Sequence, residues 1–308
     1  MDKKRAGNEF KKASVTVAVT RCRIVTGTYI LTHAHHDPVH CCAHGLFRSL
    51  GPGDRKGLKI DITYLYGDSR IEFKLPEPLG AIDLRVLQGL VALAGKEGKS
   101  FSLLDEPETN VGAELKSRLV IEPGMIYGKT LDVKFSYRAL AKEIGYARHG
   151  SENTKPLQRS VERFFMSAVF VQAPNGRRDG FHLLSRYTSA EGDAYIALNP
   201  LLALAVAGMG RHVHIDMDEV RALKSDPARL IHQRLCAWID PGKSGSIGMT
   251  KLCEYAWPED AKTKSAQRKR EQRSREALDE LKPLKWKIVE TANGTFEIKR
   301  PKLKDLNN

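Results

Sequence analysis

Residues 262–300 read KTKSAQRKREQRSREALDELKPLKWKIVETANGTFEIKR. Between Lys262 and Lys287, ten lysines and arginines stand against four acids. No glycine or proline intervenes before Pro283, so most of the segment can be helical. Apolar residues enter only at its C-terminal end, at Ala277, Leu278 and Leu281. That end can pack on a core while the N-terminal half faces solvent or a partner. Leu284, Trp286 and Ile288 then alternate with Lys285 and Lys287, and Phe296 and Ile298 alternate again beyond the Asn293-Gly294 turn, which predicts a β-hairpin. A basic helix running straight into a hairpin is the pattern of a winged helix-turn-helix, whose recognition helix enters the major groove.

Working outward, the first half repeats this order of elements without repeating the sequence. The helix predicted at 82–94 is followed by a strand at 130–135, a Ser136-capped helix at 137–144, a helix at 154–166 and a hairpin at 168–186. Their counterparts are a helix at 227–239, a short strand at Ile247, a helix at 250–256, the basic helix at 262–281 and the hairpin at 284–300. The expected fold class is therefore α+β with two tandem winged-helix domains. An N-terminal extension of unassigned role covers 1–35, the first domain 36–208 and the second 209–308, with Gly208-Met209-Gly210 as the boundary. Within the extension, Val15 to Thr20 and Arg23 to Leu31 read as two short β-like runs. In the helix that begins at the Ser225-Asp226-Pro227 start signal, Leu230, Ile231, Leu235 and Trp238 should turn inward.

Composition agrees with a polyanionic partner. The 308 residues carry a net charge of +13, concentrated on the predicted helices and hairpin tips, which favours nucleic acid over a membrane surface. No apolar run is long enough to span a bilayer. Five cysteines without a Cys-x-x-Cys pair suggest reduced thiols in a cytosolic protein.

In the second domain, Gln267, Arg268, Arg270 and Gln272 are candidates for base edges, because Arg pairs with guanine and Gln with adenine through two hydrogen bonds. Lys264, Ser265, Lys269, Arg273 and Arg275 suit phosphates. In the first domain, Lys155, Arg159 and Arg163 form one helical stripe, flanked by Gln158. Arg177 and Arg178 sit at the hairpin tip and would reach the backbone or minor groove.

Two catalytic readings fall away. GKSGS (242–246) lacks the upstream glycine of a phosphate-binding loop, so ATPase activity is not expected. ILTHAHHD (30–37) resembles the His-x-His-x-Asp signature of metal-dependent hydrolases, but Pro38 stands where that family has its next histidine. The histidine-rich patch at 33–44 is therefore read as an incidental surface or weak metal-binding patch, and no catalytic metal or other cofactor is expected.

Several blocks resemble the replication initiator (RepC) family of IncQ-type plasmids. They include HDPVHCCAHGLFRSL (36–50), EPLGAIDLRVLQGLVALAG (77–95), SYRALAKEIG (136–145), HVHIDMDEVRAL (212–223), ARLIHQRLCAWIDPGKSGS (228–246), CEYAWP (253–258) and RKREQRSREALDEL (268–281). They run in family order from about 36 to 302. The resemblance implies a non-enzymatic tandem winged-helix protein. It would bind directly repeated iterons in double-stranded origin DNA, as a homodimer or cooperative array, and help open the adjacent AT-rich region. A plasmid helicase and primase would act next. The alternative reading is a winged-helix transcriptional repressor on a promoter operator.

Overall fold

The computed structural model describes residues 33–51, 53–97, 99–102, 129–146, 151–190, 192–206 and 211–303. The readings for residues 1–32, including both β-like runs, and for Gly208-Met209-Gly210 lie outside the described residues. The elements in order are β1 (His33–His36), α1 (Pro38–Cys42), β2 (Ile60–Tyr66), β3 (Ser69–Leu75), α2 (Ala81–Glu97), β4 (Lys99–Ser102), β5 (Lys129–Ser136), α3 (Tyr137–Glu143) and α4 (Ser151–Met166). There follow β6 (Ala168–Gln172), β7 (Arg178–His182), β8 (Leu184–Ala190), β9 (Asp193–Leu198), α5 (Pro200–Val206), β10 (Val213–Asp216), α6 (Met217–Ala222), α7 (Asp226–Trp238) and β11 (Ser244–Gly248). The chain ends with α8 (Met249–Glu254), α9 (Lys264–Leu281), β12 (Lys287–Glu290) and β13 (Thr295–Lys299). This is a mixed helix-and-sheet fold.

Local signals account for most boundaries. Ser136 Oγ accepts the Ala139 N–H at 3.1 Å and starts α3, and Gly145, at a φ of +79° that side chains disfavour, ends its turn. Ser225 Oγ does the same for α7 through the Ala228 N–H at 3.3 Å, with Pro227 in its first turn. Leu84, Leu87, Leu90 and Val91 give α2 its buried stripe.

Among the described residues four antiparallel sheets form, and their strand orders decide which hairpin belongs to which helix. In the second half the order is β11-β13-β12. Ile247 of β11 faces Phe296, and Ile288 faces Ile298. In the first half the corresponding order is β5-β9-β8, with β4 added outside β5. Hence α2-β5-α3-α4-β8-β9 and α7-β11-α8-α9-β12-β13 share one connectivity.

That corrects the hairpin expected at 168–186. Strands β6 and β7 do form a hairpin there, but β6 pairs with β3 in a separate β2-β3-β6-β7 sheet. Phe73, wholly buried, sits opposite Val169, also wholly buried, and draws β6 onto β3. The hairpin equivalent to β12–β13 is β8–β9, which pairs with β5 over six positions from Leu131↔Leu198 to Ser136↔Asp193.

Both halves share a single apolar core, and Leu31–Asn308 forms one compact unit. Strand β1 pairs with β10 across the expected domain boundary, and Gln88 of α2 donates to Gln233 of α7 at 2.9 Å. The repeated units are therefore not independent bodies. Trp238 is also not inward as expected: it is 41% exposed and lies over Gly245, where a Cβ would come within 2.1 Å of its ring.

Gly89 marks the closest helix approach. A Cβ there would stand 2.4 Å from Ile144 Cγ2 and 2.8 Å from Leu140 Cδ1. Both partners are wholly buried and have no room to retreat. Gly89→Ala is accordingly expected to destabilise by about 1–3 kcal/mol despite its better helix propensity. Chemical denaturation measures this, and a gain in stability would show that α2 and α3 can separate freely.

Candidate nucleic-acid interface

Helix α9 is fixed at both ends. Thr263 Oγ1 accepts the Ala266 N–H at 3.1 Å, and Ala277, Leu278 and Leu281 are buried against the core. Ser274 is also buried, 3.4 Å from Cys253 Sγ of α8. Helical spacing then places Ser265, Arg268, Lys269 and Gln272 on the side opposite these residues, and all four are exposed. Glu276 and Asp279 continue the same outward line toward the C-terminus. The cationic half is thus the N-terminal half, the end farthest from the core, and a polyanion meets Arg268 and Lys269 before any carboxylate.

The remaining α9 candidates spread to the flanks. Lys264 is exposed in the first turn. Gln267 is half-buried, its amide donating to Glu271 Oε1 at 2.9 Å. Arg270 is half-buried too, donating to the Glu259 carbonyl and lying 5.8 Å from the Trp257 ring centre. Arg273 is exposed and packs at the same distance over Trp257. Arg275 is held on β12 by Glu290, with contacts of 2.9 and 3.3 Å. Gln267 and Arg270 therefore do not share the outward line with Arg268 and Gln272. A base-reading set of all four would need one helix to face two ways. Gln272 itself donates to Glu276 Oε1 at 2.9 Å, which sets its amide across the exposed face. An exposed ion pair such as Arg275–Glu290 is screened by solvent and contributes little, so exchanging the carboxylate for a phosphate costs little.

The first half is less exposed than its sequence suggests. Lys155 and Arg159 are exposed on α4 and Gln158 is half-buried beside them. Arg163, expected on the same stripe, is only 8% exposed. Its guanidinium bonds Asp83 Oδ1 at 2.6 and 2.9 Å and approaches Glu77 at 3.5 Å. Eight residues exceed two helical turns by enough to rotate position 163 from the exposed side toward the core, where Asp83 holds it. Arg163 is thus corrected from a groove-facing cation to a structural one.

The hairpin arginines are engaged as well. Arg177 bonds Asp179 at 2.9 and 3.1 Å. Arg178 pairs with Glu72 at 2.7 Å and lies 4.7 Å from the Phe170 ring centre. Arg178 opens β7 of the β2-β3-β6-β7 sheet and Arg177 lies in the turn before it, so neither is on the hairpin beside β5. The turn of that hairpin, between Ala190 and Asp193, carries Glu191 and Gly192 and no cation.

A cationic helix beside a hairpin is one part of the picture, and the chain's relatives supply the other. The family model for replication protein C (RepC) matches residues 28–302. The chain belongs to this family. The match starts at 28, ahead of position 36 where the resembling blocks begin. A search of curated proteins returned no match for this RepC-family chain. Two crystal structures of RctB resemble its fold. One, of selenomethionine derivatives of domains 2 and 3, has a TM-score of 0.52 and 10% identity, covering 85% of this chain and 98% of that one. The other, also of domains 2-3, has a TM-score of 0.51 and 10% identity, covering 85% and 95%. At that identity the likeness concerns the fold. A RepC-family chain is a replication protein, and among its described residues no helix is long and apolar enough to cross a membrane.

Two features of this RepC-family surface were missing from the candidate contacts read off the sequence. Trp257 is the shared platform for Arg270 and Arg273, and its position just before Pro258 and the basic helix was the available signal. Lys285, Lys287 and Lys299 are exposed on and beside the β12–β13 hairpin. They alternate with apolar residues, so one face of the hairpin packs inward and the other presents charge.

Proposed function

We propose that the chain is a plasmid replication initiator that binds directly repeated iteron DNA through two winged-helix units. In this reading α2-β5-α3-α4-β8-β9 is the first unit and α7-β11-α8-α9-β12-β13 the second. The observation that carries it is the outward line Ser265, Arg268, Lys269 and Gln272 on a helix bounded by a hairpin, in a replication protein family member. Helix α9 lies in the major groove, with Arg268 and Gln272 toward base edges and Lys269, Lys264 and Arg273 toward phosphates. The cationic face of the β12–β13 hairpin follows the backbone alongside. Lys155 and Arg159 of α4 make the weaker second contact. Binding distorts the flanking AT-rich DNA, and a helicase and primase act on the opened strands. The protein supplies binding energy and geometry rather than bond chemistry.

Selection of bound fragments from the source replicon tests this reading. Enrichment of one locus with tandem direct repeats supports the initiator, whereas an isolated operator palindrome supports a repressor. On the selected repeat, Arg268→Ala and Gln272→Ala are each expected to weaken specific binding by about 1–3 kcal/mol. Lys269→Ala should lower affinity for all sequences and reduce the log-log salt slope by about one unit. Unchanged affinity in both Arg268→Ala and Gln272→Ala would remove α9 from the groove.

A further inference from the structure

The histidine-rich patch divides in two once the chain folds. His36 is wholly buried and faces inward with Ala34, Val213 and Ile215. His35 is on the opposite face of β1, where it meets two histidines from far along the chain. The pattern His-x-His-x-Asp occurs twice, at His33–Asp37 and His212–Asp216. Four residues of each copy form a strand, β1 or β10, and each aspartate caps the following helix. Asp37 Oδ1 accepts the His40 N–H at 3.3 Å, and Asp216 Oδ1 accepts the Asp218 N–H at 2.8 Å. The two copies pair antiparallel with His35 directly opposite His214. That register makes His212 the diagonal neighbour of His35 on the same face.

The three rings cluster as this register requires. His35 stacks on His212 with ring centres 4.3 Å apart, and His214 stands edge-on to both, at 4.8 Å from His35 and 4.7 Å from His212. One nitrogen from each ring lies within 4.8 Å of the others, and all three residues are half-exposed. Tetrahedral ligands on bonds of about 2.1 Å stand about 3.4 Å apart, so side-chain rotations on the order of 1 Å suffice to close the triangle. The strands need not move. Their inner face is held by buried Ala34, Val213 and Ile215, and the His214 carbonyl accepts from buried Arg300.

We propose that His35, His212 and His214 form a binding site for a divalent transition-metal ion of the zinc class. Three imidazole donors suit Zn²⁺, Co²⁺, Ni²⁺ or Cu²⁺ and do not suit Mg²⁺ or Ca²⁺, which take oxygen ligands. The remaining coordination position faces solvent. Its effect is to staple β1 to β10. A two-stranded ribbon is marginal on its own, and this one ties the start of the described chain to its second half. A metal bound only by the folded chain adds its binding free energy to that join. The other cluster of ligand-type residues, Glu219, His232 and Cys236, is not chosen, because it is sealed inside the core, with His232 wholly buried 2.7 Å from Glu219 and 3.5 Å from Cys236 Sγ.

The test uses the full chain without a histidine tag, stripped with a chelator and titrated with Co²⁺ while visible absorption is followed. Zn²⁺ competition then gives its affinity. One equivalent should bind, with the spectrum of nitrogen ligation. His214→Ala and His212→Asn should each weaken binding by at least about 10-fold, since each removes one of three ligands. His212 precedes β10, so its replacement leaves the ribbon's pairing intact should His214→Ala fail to fold. Cys236→Ser should bind as the parent does. The proposal is overturned by no saturable binding up to about 100 μM metal, weaker than a three-histidine site should be. It is equally overturned by unchanged binding in both histidine variants, or by binding lost in Cys236→Ser with its sulfur-to-metal absorption band.

Discussion

Asp83→Ala should lower the stability of the chain by about 3–5 kcal/mol, the loss typical of stripping the partner from buried charges. Asp83 is wholly buried at the start of α2. Its Oδ2 accepts from Arg55 at 2.8 Å and from the Gly80 N–H at 2.7 Å, and its Oδ1 accepts from Ser160 at 2.6 Å and from Arg163. This one carboxylate joins the loop before β2, the start of α2 and the middle of α4. Removing it leaves the Arg55 and Arg163 guanidiniums near each other without their shared anion, and it leaves the Gly80 N–H unsatisfied, while the Ser160 hydroxyl falls back on the Pro156 carbonyl at 3.1 Å. Arg163→Met should cost less, because Asp83 then keeps Arg55, Ser160 and Gly80. The pair of variants also separates structure from recognition. Denaturant unfolding should shift in both, in that order of size, while DNA affinity of the folded Arg163→Met protein stays near the parent's. A loss below about 1 kcal/mol in Asp83→Ala, the range of an exposed pair, would show that solvent reaches this cluster.

The same cluster shows what a sequence can and cannot say. The length and type of the elements followed from local signals. Ser136 and Ser225 cap helices where their spacing to the apolar stripes put them, and Asn293-Gly294 closes the hairpin after α9. Those signals act within a few residues. Pairing between distant strands does not, so the hairpin after α4 forms where expected but joins a different sheet from the one its equivalence to β12–β13 required. Nothing in AVFVQ distinguishes a partner at β3 from one at β5, because both offer alternating apolar faces. The choice rests on Phe73 and Val169 meeting across about a hundred residues of chain, a contact with no local signature. The exposure of Arg163 was misjudged for a related reason. An arginine on a helix reads as solvated unless its buried anion is known, and Asp83 looked like an ordinary first-turn acid. For α9 the sequence was more informative. Its charge runs along one chain segment, so the split between Ser265, Arg268, Lys269 and Gln272 on one side and Ala277, Leu278 and Leu281 on the other follows from spacing alone. The division of labour among its arginines did not follow, since Trp257 and Glu290 reach α9 only in the fold.

Stability should fall as pH rises above neutrality, and His232 supplies the reason. It is wholly buried, and burial by itself works against a charged ring. The adjacent Cys236 sulfur and the Glu219 carboxylate outweigh that penalty, and His232 is pushed up to about 10. Glu219 moves the opposite way. Burial opposes its charge, but His232 and the Trp286 N–H, donating at 3.1 Å, hold its carboxyl below the usual range. Near neutrality the folded chain thus keeps an imidazolium–carboxylate pair that the unfolded chain, titrating near 6.5, does not. This contribution is fully present below about pH 6.5 and is lost between there and about 10, at roughly 1.4 kcal/mol per pH unit once the unfolded histidine is neutral. Denaturant unfolding at pH 6.5, 7.5 and 8.5 measures the slope before most thiols and phenols ionise. Glu219→Gln should flatten it, because Gln can still accept from Trp286 but cannot hold the proton on His232. That variant should also be less stable at pH 6.5, where the pair it breaks is intact. A parent protein equally stable at pH 6.5 and 8.5 would mean that His232 is neutral in the fold. Because Trp286 opens the β12–β13 hairpin and His232 lies on α7, the pair ties the hairpin to the helix against which α9 packs. The geometry proposed for DNA contact should therefore loosen over the same alkaline window.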